Sequence, residues 1–160
     1  MSTVIYFFLM STVFFIVPQL VVRFVNNVPK LDRTIVYLIF AFILPLIWIF
    51  LPKEVLTMRE VNFIQHAVGG GVAVGFVAIY FIKNFRERFS VFNHFLFQLL
   101  FVYALVSMLG VANELLEFLL DYLDIGIFSA DRYDTWFDFL ANSIGALGVF
   151  ICWAIGRKLF

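Results

Sequence analysis

Apolar positions in this chain come in long unbroken runs, with polar residues gathered between them. A helix that crosses a bilayer needs about 20 mostly apolar residues. Five stretches meet that need: 3–22, 34–51, 61–82, 93–120 and 135–156. The first is interrupted only by Pro18 and Gln19, and the second holds Pro45 and no charge. The third contains His66 and the glycines Gly69, Gly70, Gly71 and Gly75. The connecting segments are short, as in a compact bundle. The expected fold is therefore all-α: an integral membrane protein, one transmembrane domain over 1–160, built as a bundle of five transmembrane helices. The first run has no basic leader and no small-residue cleavage site after it, so it reads as a retained span and not as a signal peptide.

Composition sharpens this reading. Apolar residues make up 64% of the chain, against about 45–50% in an average soluble domain. Charged residues make up 14%, against about 25%. A soluble domain of this length leaves roughly a third of its unfolded surface exposed, and this chain lacks the polar side chains to cover it. Soluble, disordered and disulfide-scaffold classes are excluded. Cys152 is the single cysteine and cannot close an intrachain disulfide. The net charge is zero, so a nucleic-acid partner has no electrostatic footprint. The partner implied by composition is the lipid bilayer.

The few charges are unevenly placed. With five spans, Arg23, Lys30, Arg33, Lys83, Arg86, Arg88, Arg157 and Lys158 flank one face, and only Lys53, Arg59 and Arg132 flank the other. The excess of basic residues on cytoplasmic loops predicts an N-terminus outside and a C-terminus in the cytoplasm. The acidic residues do the opposite. Glu114, Glu117, Asp121, Asp124, Asp131, Asp134 and Asp138 lie within 25 residues of one another. A solvated outer loop accounts for Asp121, Asp124 and Asp131. It accounts less well for Glu114, Glu117 and Asp138, which lie inside or at the edge of spans.

Helical spacing gathers the polar residues into stripes. The third span aligns Asn62, His66, Gly70 and Ala73; the fourth aligns Ser107, Gly110, Glu114, Glu117 and Asp121. The fifth aligns Asp134, Asp138, Ala141, Asn142, Gly145, Gly148 and Cys152. Small and polar residues on one face, with bulky apolar ones elsewhere, are what a membrane bundle turns inward. In the expected orientation the polar groups also share a level. His66 falls about 7–8 Å below the outer end of its span at 1.5 Å per residue. Glu114 and Glu117 reach the outer end of theirs, and Asp134, Asp138 and Asn142 open the last.

Intramembrane ionisable groups are costly and mark functional sites by default. The candidate catalytic residues are His66, Glu114 and Asp138, and the candidate substrate-binding residues are Glu117, Arg132, Asp134 and Asn142. Imidazole and carboxylate oxygens together suit a divalent cation, with His66, Glu114, Glu117 and Asp138 as candidate ligands. Without a metal, a carboxylate and His66 could handle a proton. Structural readings stand beside these. Thr57 with Glu60, and Thr135 with Asp138, have the spacing of a helix capping box, with Asp134 as a candidate N-cap. His66 could be a hydrogen-bonded interior histidine, and Arg132 could merely neutralise its neighbours instead of gripping a phosphate. His94 reads as a helix-start residue, Gln19 and Gln98 as amides bonding between helices, and Trp48, Trp136 and Trp153 as belt residues.

The segment NELLEF at 113–118, with DRYDTWFDFLANSIGALG at 131–148, resembles the VanZ-like group of small bacterial membrane proteins. The matching positions are Glu114, Arg132, Asp138, Asn142, Gly145 and Gly148. The Tyr-Asp-Thr-x-x-Asp string at 133–138 is similar to that of a related group of uncharacterised bacterial inner-membrane proteins. His66 and Gly69 look like the His-x-x-Gly segment of both. The resemblance covers the last three spans. It implies a multi-pass protein of the bacterial inner membrane with a role in the cell envelope, associated with glycopeptide-antibiotic resistance, and it carries no reaction. The expected function is binding of an envelope substrate, such as a lipid-linked phosphate or glycan, at an outer-leaflet polar pocket. An enzyme acting on a lipid head group, a transporter-like binding protein and a non-catalytic scaffold or assembly subunit all remain open, as does the oligomeric state.

Overall fold

The computed structural model describes residues 3–26, 33–46, 57–123 and 134–159, and every regular element among them is helical. Helix α1 runs Thr3–Asn26 and α2 runs Ile35–Ile43. Pro45 lacks an N–H for an α-helical bond, and α2 tightens into a 3₁₀ turn at 44–46. Helix α3 (Met58–Gln65), a π-helical segment (His66–Val72) and α4 (Ala73–Phe85) follow one another without a break. They form one rod through the third expected span. A 3₁₀ turn at Ser90–Asn93 leads into α5 (Phe95–Tyr122), and α6 covers Asp134–Leu159.

Four helices are long and apolar enough to cross a membrane, and α2 with its turn, Ile35–Leu46, is a shorter apolar helix. Part of the expected second span, 47–51, lies outside the described residues. The first, third and fifth expected spans appear as helices longer by a few residues, and the fourth appears at its expected length, shifted two residues toward the C-terminus. The outer surface matches a lipid solvent. Phe8, Leu20, Leu96, Met108, Phe118 and Ile155 are all at least half exposed. A water-soluble monomer rarely exposes so much contiguous apolar surface. This is the build of a multi-pass membrane protein.

The rod is the centre. Of its membrane-length stretch 56% is buried, against 22–33% for the other long helices. Helix α4 packs against α1, α2, α5 and α6, which buries Val74, Val77, Ala78, Ile79 and Ile82. Its far end sits in a cluster of rings. Phe85 stacks on Phe81 with centroids 5.5 Å apart, and Phe92 meets Phe101 edge-on at 5.1 Å. The start of the rod is capped as its spacing predicts. The Thr57 N–H donates to Glu60 Oε2 at 2.8 Å, and the Glu60 N–H donates to Thr57 Oγ1 at 3.3 Å. His94 is the N-cap of α5.

Two expectations need correction. Gln19 does not bridge helices: its Nε2 donates to the Phe15 carbonyl one turn back on α1, at 2.9 Å. On a partly lipid-facing surface its own backbone offers the nearest acceptor. The stripe on α6 also turns away from the one expected. Asp138, Ala141, Asn142, Gly145, Ala146, Phe150 and Ala154 are buried, whereas Gly148 and Cys152 are exposed. A helix gains 100° per residue, so the inward face drifts from 145 to 146 and 150 and leaves 148 and 152 behind.

Candidate functional site

The site is built by glycines before it is built by charges. Helix α6 lies against the π-helical segment closely enough for backbone to meet backbone. A Cβ on Gly145 would run into the Ala67 carbonyl oxygen, and one on Gly71 into the Asn142 carbonyl oxygen. Gly70 leaves room for the Asn142 amide on one side, and a Cβ on Gly110 of α5 would stand 3.5 Å from Nδ2 of the same amide. A π turn carries one residue more than an α turn and is frequent at functional sites. Here it widens the rod where α6 crosses it. The crossing fixes the register, so Asp138, two turns before Gly145, faces Asn62 and His66.

His66 and Asp138 are both buried, 8% and 2% exposed. His66 Nε2 lies 3.4 Å from Asp138 Oδ2. The other carboxylate oxygen, Oδ1, accepts a hydrogen bond from Asn62 Nδ2 at 3.0 Å. Glu114 joins from α5: one ligand atom each of His66, Glu114 and Asp138 lies within 4.8 Å of the other two. The candidate catalytic trio is thus drawn from three separate elements into one cluster. The set can hold a cation, or pass a proton between imidazole and carboxylate.

Beside the cluster is a cavity of about 250 Å³. His66, Asn113, Glu117 and Asn142 are among its polar lining residues, and Phe14, Val74, Val106 and Leu109 are among its apolar ones. Asn142 is 6% exposed, and its Oδ1 is buried without a hydrogen-bond partner. Glu117 lies on the cavity and not in the trio. Its Oε1 accepts from Asn113 Nδ2 at 2.7 Å, and Asn113 Oδ1 accepts from the Tyr6 hydroxyl at 2.6 Å. This chain of bonds ties α1 to α5. Asp134 is the first residue of α6, and its side chain lies outside the described residues, as does all of Arg132.

Sequence reasoning placed Asn62 on the right face without giving it a task, and it passed over Tyr6 and Asn113. Tyr6 sits in an apolar run, where an aromatic residue reads as lipid-facing. Asn113 was visible in NELLEF, one position before the glutamate, yet 100° around the helix from it.

Fold and site together define a class: a helical multi-pass membrane protein with a buried histidine–carboxylate cluster opening on an amphiphilic cavity. Comparison with protein-family models, curated proteins and solved structures finds no match for this chain. Of the positions that carry the sequence resemblance, Glu114 and Asp138 are in the cluster and Asn142 is on the cavity. Gly145 lies at the helix crossing, and Gly148 faces outward with nothing within 4 Å of a Cβ placed on it.

Proposed function

We propose that this is a small VanZ-like protein of the bacterial inner membrane. Its N-terminus is outside and its C-terminus cytoplasmic, and it binds the polar head of a lipid-type envelope substrate at the outer end of the bundle. One observation carries the reading: the cavity beside His66 is lined by a few polar side chains and a larger number of apolar ones. An amphiphile satisfies both sets, with its head at His66, Glu117 and Asn142 and its hydrocarbon along Phe14 and Val106. Val13 and Leu116, which also line the cavity, are exposed on the outer surface of α1 and α5. The cavity therefore lies against the lipid-facing surface of these two helices. Beyond the site the rod is buried apolar packing from Ala73 to Ile82, which favours binding over conduction.

The test is the lipid that stays with the protein. Protein purified in mild detergent is extracted, and its lipids are compared by mass spectrometry with those of the source membrane. The expected result is one lipid class enriched on the wild type and lost from Met10→Trp, which fills the cavity, and from Glu117→Gln. A lipid profile equal to that of the membrane, unchanged in both variants, rejects the reading. Orientation is tested separately by a cysteine at position 128 in a Cys152→Ser background. It should react with an impermeant maleimide added outside intact cells, and protection there reverses the topology.

A further inference from the structure

We infer that His66, Glu114 and Asp138 bind a divalent transition-metal ion, with Zn²⁺ the first candidate, and that Asn62 positions the aspartate for it. The inference places a cofactor at the site proposed above. It does not depend on which lipid the cavity takes.

Three features converge on an ion. The first is the donor set. One imidazole nitrogen and two carboxylate oxygens, each within 4.8 Å of the others, come from the rod, α5 and α6. This mixture suits Zn²⁺ or Mn²⁺ better than Ca²⁺ or Mg²⁺, which prefer oxygen alone. Three protein ligands also leave a tetrahedral ion one open position, the pattern of sites that engage a ligand.

The second is a distance. If His66 and Asp138 were paired only with each other, a charge-assisted hydrogen bond would bring them to about 2.7–2.9 Å. They stand at 3.4 Å. Two ligands bound at about 2.0–2.1 Å to one tetrahedral ion stand about 3.4 Å apart. Asp138 is also held as a metal carboxylate commonly is: Asn62 donates to Oδ1, which leaves Oδ2 to face His66. Hydrogen bonds of this kind orient ligands.

The third is Asn142. One turn beyond Asp138, its buried Oδ1 has no hydrogen-bond partner and lines the same cavity as His66. Buried acceptors in proteins are normally satisfied. A donor carried by a bound ligand, such as a hydroxyl or a metal-bound water, answers that vacancy.

The experiment uses full-length protein in detergent, stripped with EDTA, titrated with ZnCl₂ and desalted, with metal counted by mass spectrometry. Calorimetry gives the affinity. The expected result is one Zn²⁺ per chain. The near-isosteric variants Asp138→Asn and Glu114→Gln, checked for a single monodisperse peak, should weaken binding at least about 100-fold. Asn62→Ala should weaken it by about 10–100-fold, the usual effect of removing a group that orients a ligand. Co²⁺ in place of Zn²⁺ should give visible d–d bands that shift in Asn62→Ala, which loss of folding alone would not produce. His94→Ala and Cys152→Ser, at exposed positions away from the cluster, should leave the stoichiometry at one.

The inference is overturned if the folded wild type takes up no Zn²⁺ or Mn²⁺, or if the bound metal follows His94 or Cys152 instead of the trio. Enriched lipid with no metal overturns it while sparing the proposed function. Bound metal with no enriched lipid supports it and rejects the lipid reading.

Discussion

The two ends of the central rod solve the same packing problem in opposite ways. From Asn62 to Gly75 the rod meets α6 through glycines, and backbone approaches backbone. From Tyr80 to Phe85 it meets its neighbours through rings, Phe81 against Phe101 and Phe85 against Phe92, with centroids 6.3 and 6.0 Å apart. In a bilayer the hydrophobic effect does not drive helices together, and van der Waals contact must do so. Rings supply that contact by bulk and tolerate small shifts. Glycines supply it by proximity, and they tolerate none. The polar residues sit at the glycine end, where a fixed register holds His66 opposite Asp138. The aromatic end holds the bundle together, and none of the described candidate site residues lies in it.

Substitutions can break this division, and they rank by size. The largest effect is expected from Phe85→Ala, which removes a buried ring from the aromatic cluster. Loss of such a core side chain costs about 3–5 kcal/mol in soluble proteins, read as a lower midpoint in detergent-induced unfolding. Zn²⁺ affinity of the molecules that remain folded should be unchanged. Next is Gly145→Val. Overpacking costs about 1–3 kcal/mol, but here it should abolish metal binding as well, because it pushes α6 off the rod. Gly148→Val on the same helix should do neither. If Gly145→Val binds metal like the wild type, the register argument fails. Thr57→Ala removes the cap of α3 and should cost about 1 kcal/mol. Smallest is Tyr6→Phe, which deletes the hydroxyl bonded to Asn113. Hydrogen bonds between membrane helices average about 0.6 kcal/mol, so its thermal midpoint should barely move. Lipid retention is the more sensitive readout, because the bond spans the side of the cavity between α1 and α5.

Much of this arrangement was legible in the residue order. Long apolar runs mark the helices because a single segment in a bilayer can satisfy its own backbone only as a helix. The spacing Asn62–His66–Gly70 survives in the structure, since each of the three faces α6. Asp138 and Asn142 could be placed because a polar side chain in an apolar helix stands out against its neighbours. What could not be read was geometry that depends on two helices at once. Gly148 and Gly145 look alike in sequence, and only the crossing angle decides which one meets the rod. The three glycines 69–71 signalled small volume, not a change of helix type. Tyr6 gave no signal at all, because its partner lies 107 positions away.

The π-helical stretch has a consequence for chain length. It stores one residue more than an α-helix would use over the same ladder of bonds. Removing a single glycine from 69–71 would let the rod close into uniform α-helix, and because the ladder of bonds is kept, Asn62 and His66 would stay on the face toward α6. What would be lost is the local widening of the rod where Asn142 and Gly145 of α6 press against it. The stretch therefore works as a spacer: it makes room at the crossing without turning the residues before it away from the residues after it.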